Sequence, residues 1–217
     1  MTNKKKRHLK IILPIVALLL IVLIIILLIP KGIHEKNYFN ALRNSNYTKQ
    51  DQLTTITEGE LVVYEKLETI VFDGENIYHK ITEKKISSGT EMYEEIAVEL
   101  YYNKTSMYYY ENEQWKTVEF NVKNSLKTYN LKKEYFTTIS FDKKVEEQGI
   151  LEGYVKDECV NDAFNSETQF HSAHLKLIVN KNFKVQECNI QAKTSSNRDV
   201  KVNNVFTYNN EVVTLPN

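Results

Sequence analysis

A few side chains in this chain are of types that could do chemistry. His171 and His174 stand three apart, with Glu167 close by. On a helix they would share a face and could hold zinc. Their surroundings read as a loop entering a strand, where that spacing sends two side chains to opposite faces. No third ligand is in view, so no metal site is expected. Cys159 as a nucleophile would need a histidine and an orienting group, and nothing local supplies them. There is no Gly-x-Ser-x-Gly elbow and no glycine-rich phosphate loop. The sequence therefore names no catalytic residue and implies no cofactor.

Two cysteines, Cys159 and Cys188, are the only ones in the chain. In an oxidising compartment they could pair, and closing a loop of about 30 residues would stabilise the fold by roughly 3 kcal/mol. Alternatively, both are free thiols acting as small hydrophobes. Tyr101, Tyr102, Tyr108, Tyr109, Tyr110 and Trp115 crowd one short stretch. Such a cluster could line a ligand groove or a partner surface, though aromatics also favour strands for packing alone.

The elements that would position these residues are mostly strands. Leu61–Tyr64 and Thr69–Phe72 are runs of β-branched and aromatic residues. Asp73-Gly74 follows, a hairpin-turn signal. Ile77, His79 and Ile81 then alternate with Tyr78, Lys80 and Thr82, which is the period of a half-buried strand. Further strands are predicted over 96–102, 106–110, 115–120, 150–160, 175–179, 183–192 and 200–208, nine or ten in all, with Gly149 and Gly153 as bulge or bend points. Ser45 to Asp51 reads as a break and Asn161 to Glu167 as a polar loop. Two short helices are expected. One covers His34 to Arg43, with Tyr38 and Leu42 one turn apart. The other covers Asn121 to Tyr135, where Val122, Leu126 and Tyr129 recur at helical spacing.

Ahead of these lies an unbroken apolar run, Ile11 to Ile29, closed by Pro30. As a helix it would be about 28 Å long, close to the roughly 30 Å hydrocarbon core of a bilayer. Lys4, Lys5, Lys6, Arg7 and Lys10 precede it, and no acidic residue occurs before Glu35. Positive flanks stay in the cytoplasm. The expected organisation is a cytoplasmic basic tip (1–10), a transmembrane helix (11–30), a juxtamembrane segment with a short helix (31–50) and an extracytoplasmic β-rich domain (51–217). A cleaved signal peptide is disfavoured: the run exceeds the usual apolar length, and no pair of small residues follows it. The chain carries 28 basic and 28 acidic side chains. Setting the basic tip aside leaves a mildly acidic outer domain, which excludes the basic stripe of a nucleic-acid binder.

The order of helix, meander, short helix and further strands, behind an exported N-terminus, resembles the lipoprotein-carrier-like superfamily of LolA and LppX type. The stretch Phe206-Thr207-Tyr208-Asn209-Asn210 through Leu215-Pro216 looks like that family's final strand. The Tyr101-Tyr102-Asn103 hairpin leading to Trp115 also fits. The resemblance covers roughly residues 35–217. It implies an α+β, mainly β fold: a curved antiparallel sheet, or half-open barrel, with one or two helices on its concave face. It also implies that acyl chains could be held between sheet and helices. Ile77, Ile81, Leu100, Leu175, Leu177, Val179 and Phe206, on alternating apolar faces, are the candidate lining; a filled core would use the same residues. The expectation is a membrane-anchored, non-catalytic module for a lipid or other hydrophobic ligand. The alternative is a cell-surface protein-interaction or sensing domain with a filled core.

Overall fold

The computed structural model describes residues 20, 35–43, 46–86, 93–120, 129–142, 145–164 and 169–216. The chain divides into two compact units, Met1–Asn37 and Tyr38–Asn217. The expected membrane span lies, Leu20 aside, outside the described residues. No helix among the described residues is long and apolar enough to cross a membrane.

The second unit is built on one open antiparallel sheet of eleven strands. In chain order they are β1 (Lys49–Glu58), β2 (Leu61–Phe72), β3 (Ile77–Ile86), β4 (Tyr93–Tyr102), β5 (Ser106–Glu111), β6 (Gln114–Glu119), β7 (Phe136–Phe141), β8 (Gln148–Val155), β9 (Phe170–Asn180), β10 (Val185–Thr194) and β11 (Asp199–Thr207). Across the sheet the order is β6-β5-β4-β3-β2-β1-β11-β10-β9-β8-β7. The chain thus starts at the centre, meanders to one edge, crosses to the other edge and meanders back. Two helices accompany the sheet: α1 over residues 35–43 and α2 over Val160–Phe164.

The crossing sets a geometric constraint. Ten strand spacings make a flat sheet about 48 Å wide. The link from β6 to β7 is residues 120–135, which reach at most about 56 Å when fully extended. Since β6 and β7 run in the same direction, the link must also travel the length of a strand. Twist and bending of the sheet shorten that path. Both described ends of the link lie on one face, here called the core face. The Phe120 ring sits 5.6 Å from that of Tyr102, and Leu131 is buried in the main apolar cluster.

That cluster fills the core face of β7 to β11. It gathers Leu151, Leu175, Leu177, Val179, Val185 and Phe206 beneath Tyr38, Ala41 and Leu42 of α1 and Val160, Ala163 and Phe164 of α2. Tyr38 and Leu42 are both buried, as their one-turn spacing predicts. The two glycines of β8 make room for aromatic rings. A Cβ at Gly149 would run into the Tyr38 hydroxyl, and one at Gly153 into the Thr138 carbonyl oxygen, 2.9 Å from Phe136 Cδ1. Close packing, rather than a bend at the glycines, explains both positions. The bulge at this edge lies in β7, between Phe136 and Thr138.

Several elements differ from the sequence reading. Leu61–Tyr64 and Thr69–Phe72 are one continuous strand. Lys49 to Asp51, read as part of a break, opens β1, because both β2 and β11 offer it partners. The stretch 150–160 stops being a strand at Val155; a 3-10 turn, Asp157–Cys159, leads into α2. Of the helix expected over 121–135, residues 121–128 lie outside the described part, 129–132 are irregular and Lys133–Tyr135 is a 3-10 turn. The last strand ends at Thr207, so residues 212–215, at the end of the stretch that resembles the family's final strand, lie outside the sheet. Instead Val213 N–H donates to Asp73 Oδ2 at 2.9 Å, and Val213 O accepts from Asn76 Nδ2 at 3.4 Å. The C-terminal tail is thereby pinned to the Asp73-Gly74 turn, where Gly74 has φ +92°.

Replacing Gly153 by Ala should lower stability by about 1–3 kcal/mol, because the clash is with backbone that cannot rotate away. Thermal unfolding checks this; an unchanged midpoint would contradict the packing described.

Candidate functional site

Cross-strand register places the candidate lining residues on the core face. One transverse row runs Leu151, Leu177, Cys188, Asn204, Gln52, Glu68, Ile81, Val98. The next runs Phe206, Gln50, Ile70, His79, Leu100, Tyr109. Leu175 and Val179 flank Leu177 at alternate positions of β9, and Ile77 flanks His79 on β3. All seven residues picked from the sequence therefore share one face, but in two different settings. Leu175, Leu177, Val179 and Phe206 are closed in the filled cluster. Ile77, Ile81 and Leu100, on the other half of the sheet, are only half-buried.

The open half contains a groove. β4 pairs with β5 over Leu100–Tyr102 only, so Tyr110 and Glu111 of β5 are not matched to β4. Where the β5–β6 hairpin parts from β4, a cavity of about 720 Å³ forms, with Val98, Leu100, Met107, Tyr109, Tyr110 and Trp115 among its lining residues. Its size falls in the range of small-molecule sites. The aromatic cluster divides between the faces. Tyr102 and Tyr109 belong to the core face, and Tyr101, Tyr108, Tyr110 and Trp115 to the other. On that outer side Trp115 lies 5.3 Å from both the Tyr101 and the Tyr110 rings.

Between the filled cluster and the groove runs a polar band, centred on β11, β1, β2 and β3. Its bond directions are fixed from one end. The Cys188 carbonyl can only accept, so Asn204 presents Nδ2 to it at 3.0 Å. Asn204 Oδ1 therefore faces Gln50 and accepts from its Nε2 at 2.9 Å. That leaves Gln50 Oε1 buried without a partner. At the other end Glu68 gathers three donors: Gln52 Nε2 at 2.9 Å, Lys66 Nζ at 3.1 Å and His79 Nε2 at 3.2 Å. Nε2–H of His79 is committed to the carboxylate, and Nδ1, an acceptor whenever Nε2 holds the only ring proton, is also buried without a partner. Gln50 is 2% exposed and His79 8%. Each orphaned acceptor costs about 1–3 kcal/mol unless something donates to it.

Burial of Glu68 works to raise its pKa, but the hydrogen bond from His79 and the charge and hydrogen bond of Lys66 outweigh it. The net effect holds the carboxyl below its usual range. Buried Cys188 is the opposite case: desolvation pushes its thiol up to about 12, which makes it inert at neutral pH. Cys159 and Cys188 are both free thiols, so of the two states open to them the structure carries the unbonded one.

The histidine reading needs a correction. Gln191 pairs with His174 and Lys193 with His171, with a bulge between. Ser172, at φ +54°, lies within that extra length. The added residue reverses the parity of the strand and puts His171 and His174 on the same, outer face. His174 is there the ion partner of Glu152 at 3.3 Å. Among the described residues no three His, Cys, Asp or Glu side chains are grouped to hold a metal.

Gln50, Glu68, His79 and Asn204 were not singled out from the sequence. The signal was present for two of them: His79 sits between Ile77 and Ile81, and Asn204 between Val202 and Phe206, both at apolar-phase positions of alternating strands. Gln50 gave no signal, because Ser45 to Asp51 was read as a break.

No protein-family description matches the chain, and no curated protein does. Among solved structures the chain is similar to the lipoprotein LppX of Mycobacterium tuberculosis, at 8% identity, TM-score 0.43, covering 83% of this chain and 95% of that one. It is also similar to LprF of Mycobacterium bovis, at 9% identity and TM-score 0.39, covering 84% and 97%. A LolA-superfamily protein of Nitrosomonas europaea aligns at 8% identity and TM-score 0.33, covering 83% and 92%. The similarity is one of fold.

A carboxyl whose pKa is lowered by folding adds stability above its unfolded pKa, about 4.3 for Glu, and loses it as pH falls through the folded value. Glu68→Gln should thus cost about 1–3 kcal/mol at neutral pH, with the gap to the parent chain narrowing below about pH 4. Unfolding midpoints from pH 7 to pH 3 check this; a gap constant with pH would contradict it.

Proposed function

We propose that this chain is a membrane-anchored extracytoplasmic module that binds a lipid or other hydrophobic ligand without catalysis. The observation that carries the reading is the unequal filling of one continuous face. On β7 to β11 the apolar positions are closed by α1, α2 and the 129–131 segment. On β4 to β6 the equivalent positions, Val98, Leu100, Met107 and Tyr109, border a groove that Ala97, Glu99, Tyr110 and Trp115 line from the other side, large enough for an acyl chain or a small amphiphile. A half-open apolar face on an otherwise charged surface marks a binding site. The anchor rests on the apolar run Ile11 to Ile29 and the basic residues before it, a pattern that supports a sheet outside the cytoplasm.

A second reading has its own observation. Residues 93–99 of β4 have no strand on their outer side among the described residues. An extended peptide could add there, with the groove serving as its side-chain pocket. This is the interaction-domain alternative.

Full-length chain recovered from alkaline-washed membranes and examined by native mass spectrometry should carry an apolar molecule that organic solvent releases. Leu100→Arg should reduce that load roughly tenfold or more, since an unpaired guanidinium in the groove costs well over 1.4 kcal/mol. Loss of the chain in the alkaline wash would contradict the anchor. A ligand-free mass for the parent chain would favour the peptide reading.

A further inference from the structure

The polar band has a feature that ligand-free packing does not explain. Gln50 Oε1 and His79 Nδ1 are both buried and both unpartnered; the first is an acceptor by its bond to Asn204, and the second is one when the single ring proton sits on Nε2 facing Glu68. Two orphans of the same sense on one face call for donors from outside the protein. They are also placed together. Gln50, Ile70 and His79 are successive members of one transverse row, and the next member, Leu100, lines the groove.

We propose that Gln50 and His79 form a polar subsite that receives the hydroxyl groups of an uncharged headgroup, while the apolar tail of the same molecule lies in the β4–β6 groove. This rests on the hydrophobic-ligand reading and narrows it to a class: neutral amphiphiles bearing a polyol, such as a glycerol or a sugar. The chemistry excludes the commoner alternatives. A carboxylate or phosphate brings acceptors to a site that already has too many, next to the Glu68 carboxylate. A cation has little to gain, because Lys66 Nζ already lies 3.1 Å from that carboxylate. A hydroxyl donates to either orphan without bringing charge. Gln50 and His79 are two strand spacings apart at the backbone, about 10 Å, so more than one hydroxyl is needed to serve both. The layout suits one molecule: apolar groove at the hairpin, then the polar band, then a filled core that blocks passage further along the face.

Trp115 is the only tryptophan of the chain and lines the groove, so its fluorescence reports tail binding. Full-length protein in a lipid-free amphipathic polymer would be titrated with 1-monooleoylglycerol and with methyl oleate. These share the acyl chain and differ in having hydroxyls or none. The expected result is monooleoylglycerol binding tighter by about tenfold or more. Gln50→Met and His79→Phe should each reduce that preference, and the double variant should bring it near one. The single variants carry the test if the double one does not fold. Equal affinity of the parent chain for both esters would overturn the subsite while leaving the groove standing, with the two orphans then served by buried water. A preference that survives both substitutions would also overturn it. Failure of both esters to bind would remove the hydrophobic-ligand reading and the subsite with it.

Discussion

Nine residue pairs between β1 and β11, from Lys49 with Thr207 to Thr57 with Asp199, join two meanders into one sheet. Everything else on the core face depends on that seam. On one side of it stand β2 to β6, on the other β10 to β7, each meander held internally by pairing of consecutive strands. Only the seam decides how the alternation of one meander lines up with that of the other. A slip of one residue would turn the whole of β1 to β6 over, sending Ile77, Ile81 and Leu100 to the face away from α1 and α2. The Gln50 to Asn204 hydrogen bond spans this seam and continues to the Cys188 carbonyl. It is a buried polar clamp whose geometry is satisfied in one register, a use for which buried polar groups are well suited.

With the register set, the two halves of the face take different roles for a simple reason of cover. Tyr38, Leu42, Leu131, Val160 and Phe164 all come down on β7 to β11, and the small residues opposite them, Gly149 and Gly153, let the rings sit close. The described helices leave β3 to β6 with less apolar cover: Ile96 is 39% exposed and Val98 36%. The short β5–β6 hairpin opens the groove rather than closing it. The filled half acts as the rigid support. The open half is the part able to accept a ligand without unpacking the core.

Much of this was legible in the sequence, for identifiable reasons. Ile77 to Ile81, Leu175 to Val179 and Val200 to Phe206 alternate cleanly, because each strand has one dry face, and their membership of a single face follows. The Asp73-Gly74 turn was readable from its backbone chemistry. Residues 49–58 were harder. LysGlnAspGlnLeuThrThrIleThrGlu is polar on both faces, and it is a strand because it lies at the sheet centre with partners on both sides. The bulge at Ser172 was invisible, since one extra residue in β9 leaves no mark on composition yet moves His171 and His174 to a shared face. The polar band was hidden by the habit of reading alternation for apolar positions only. His79 and Asn204 stood in those positions, and their meaning needed the register that brings them beside Glu68 and Gln50.

The central claim is that the groove between β4 and the β5–β6 hairpin takes an apolar chain. The most direct measurement is quenching of Trp115 in the full-length protein by the glycerol monoester of dibrominated stearic acid, which quenches only at contact. Saturable quenching with one-site stoichiometry, reversed by the unbrominated glycerol ester, is the predicted result. Quenching no stronger than that of free tryptophan amide in the same medium would contradict it.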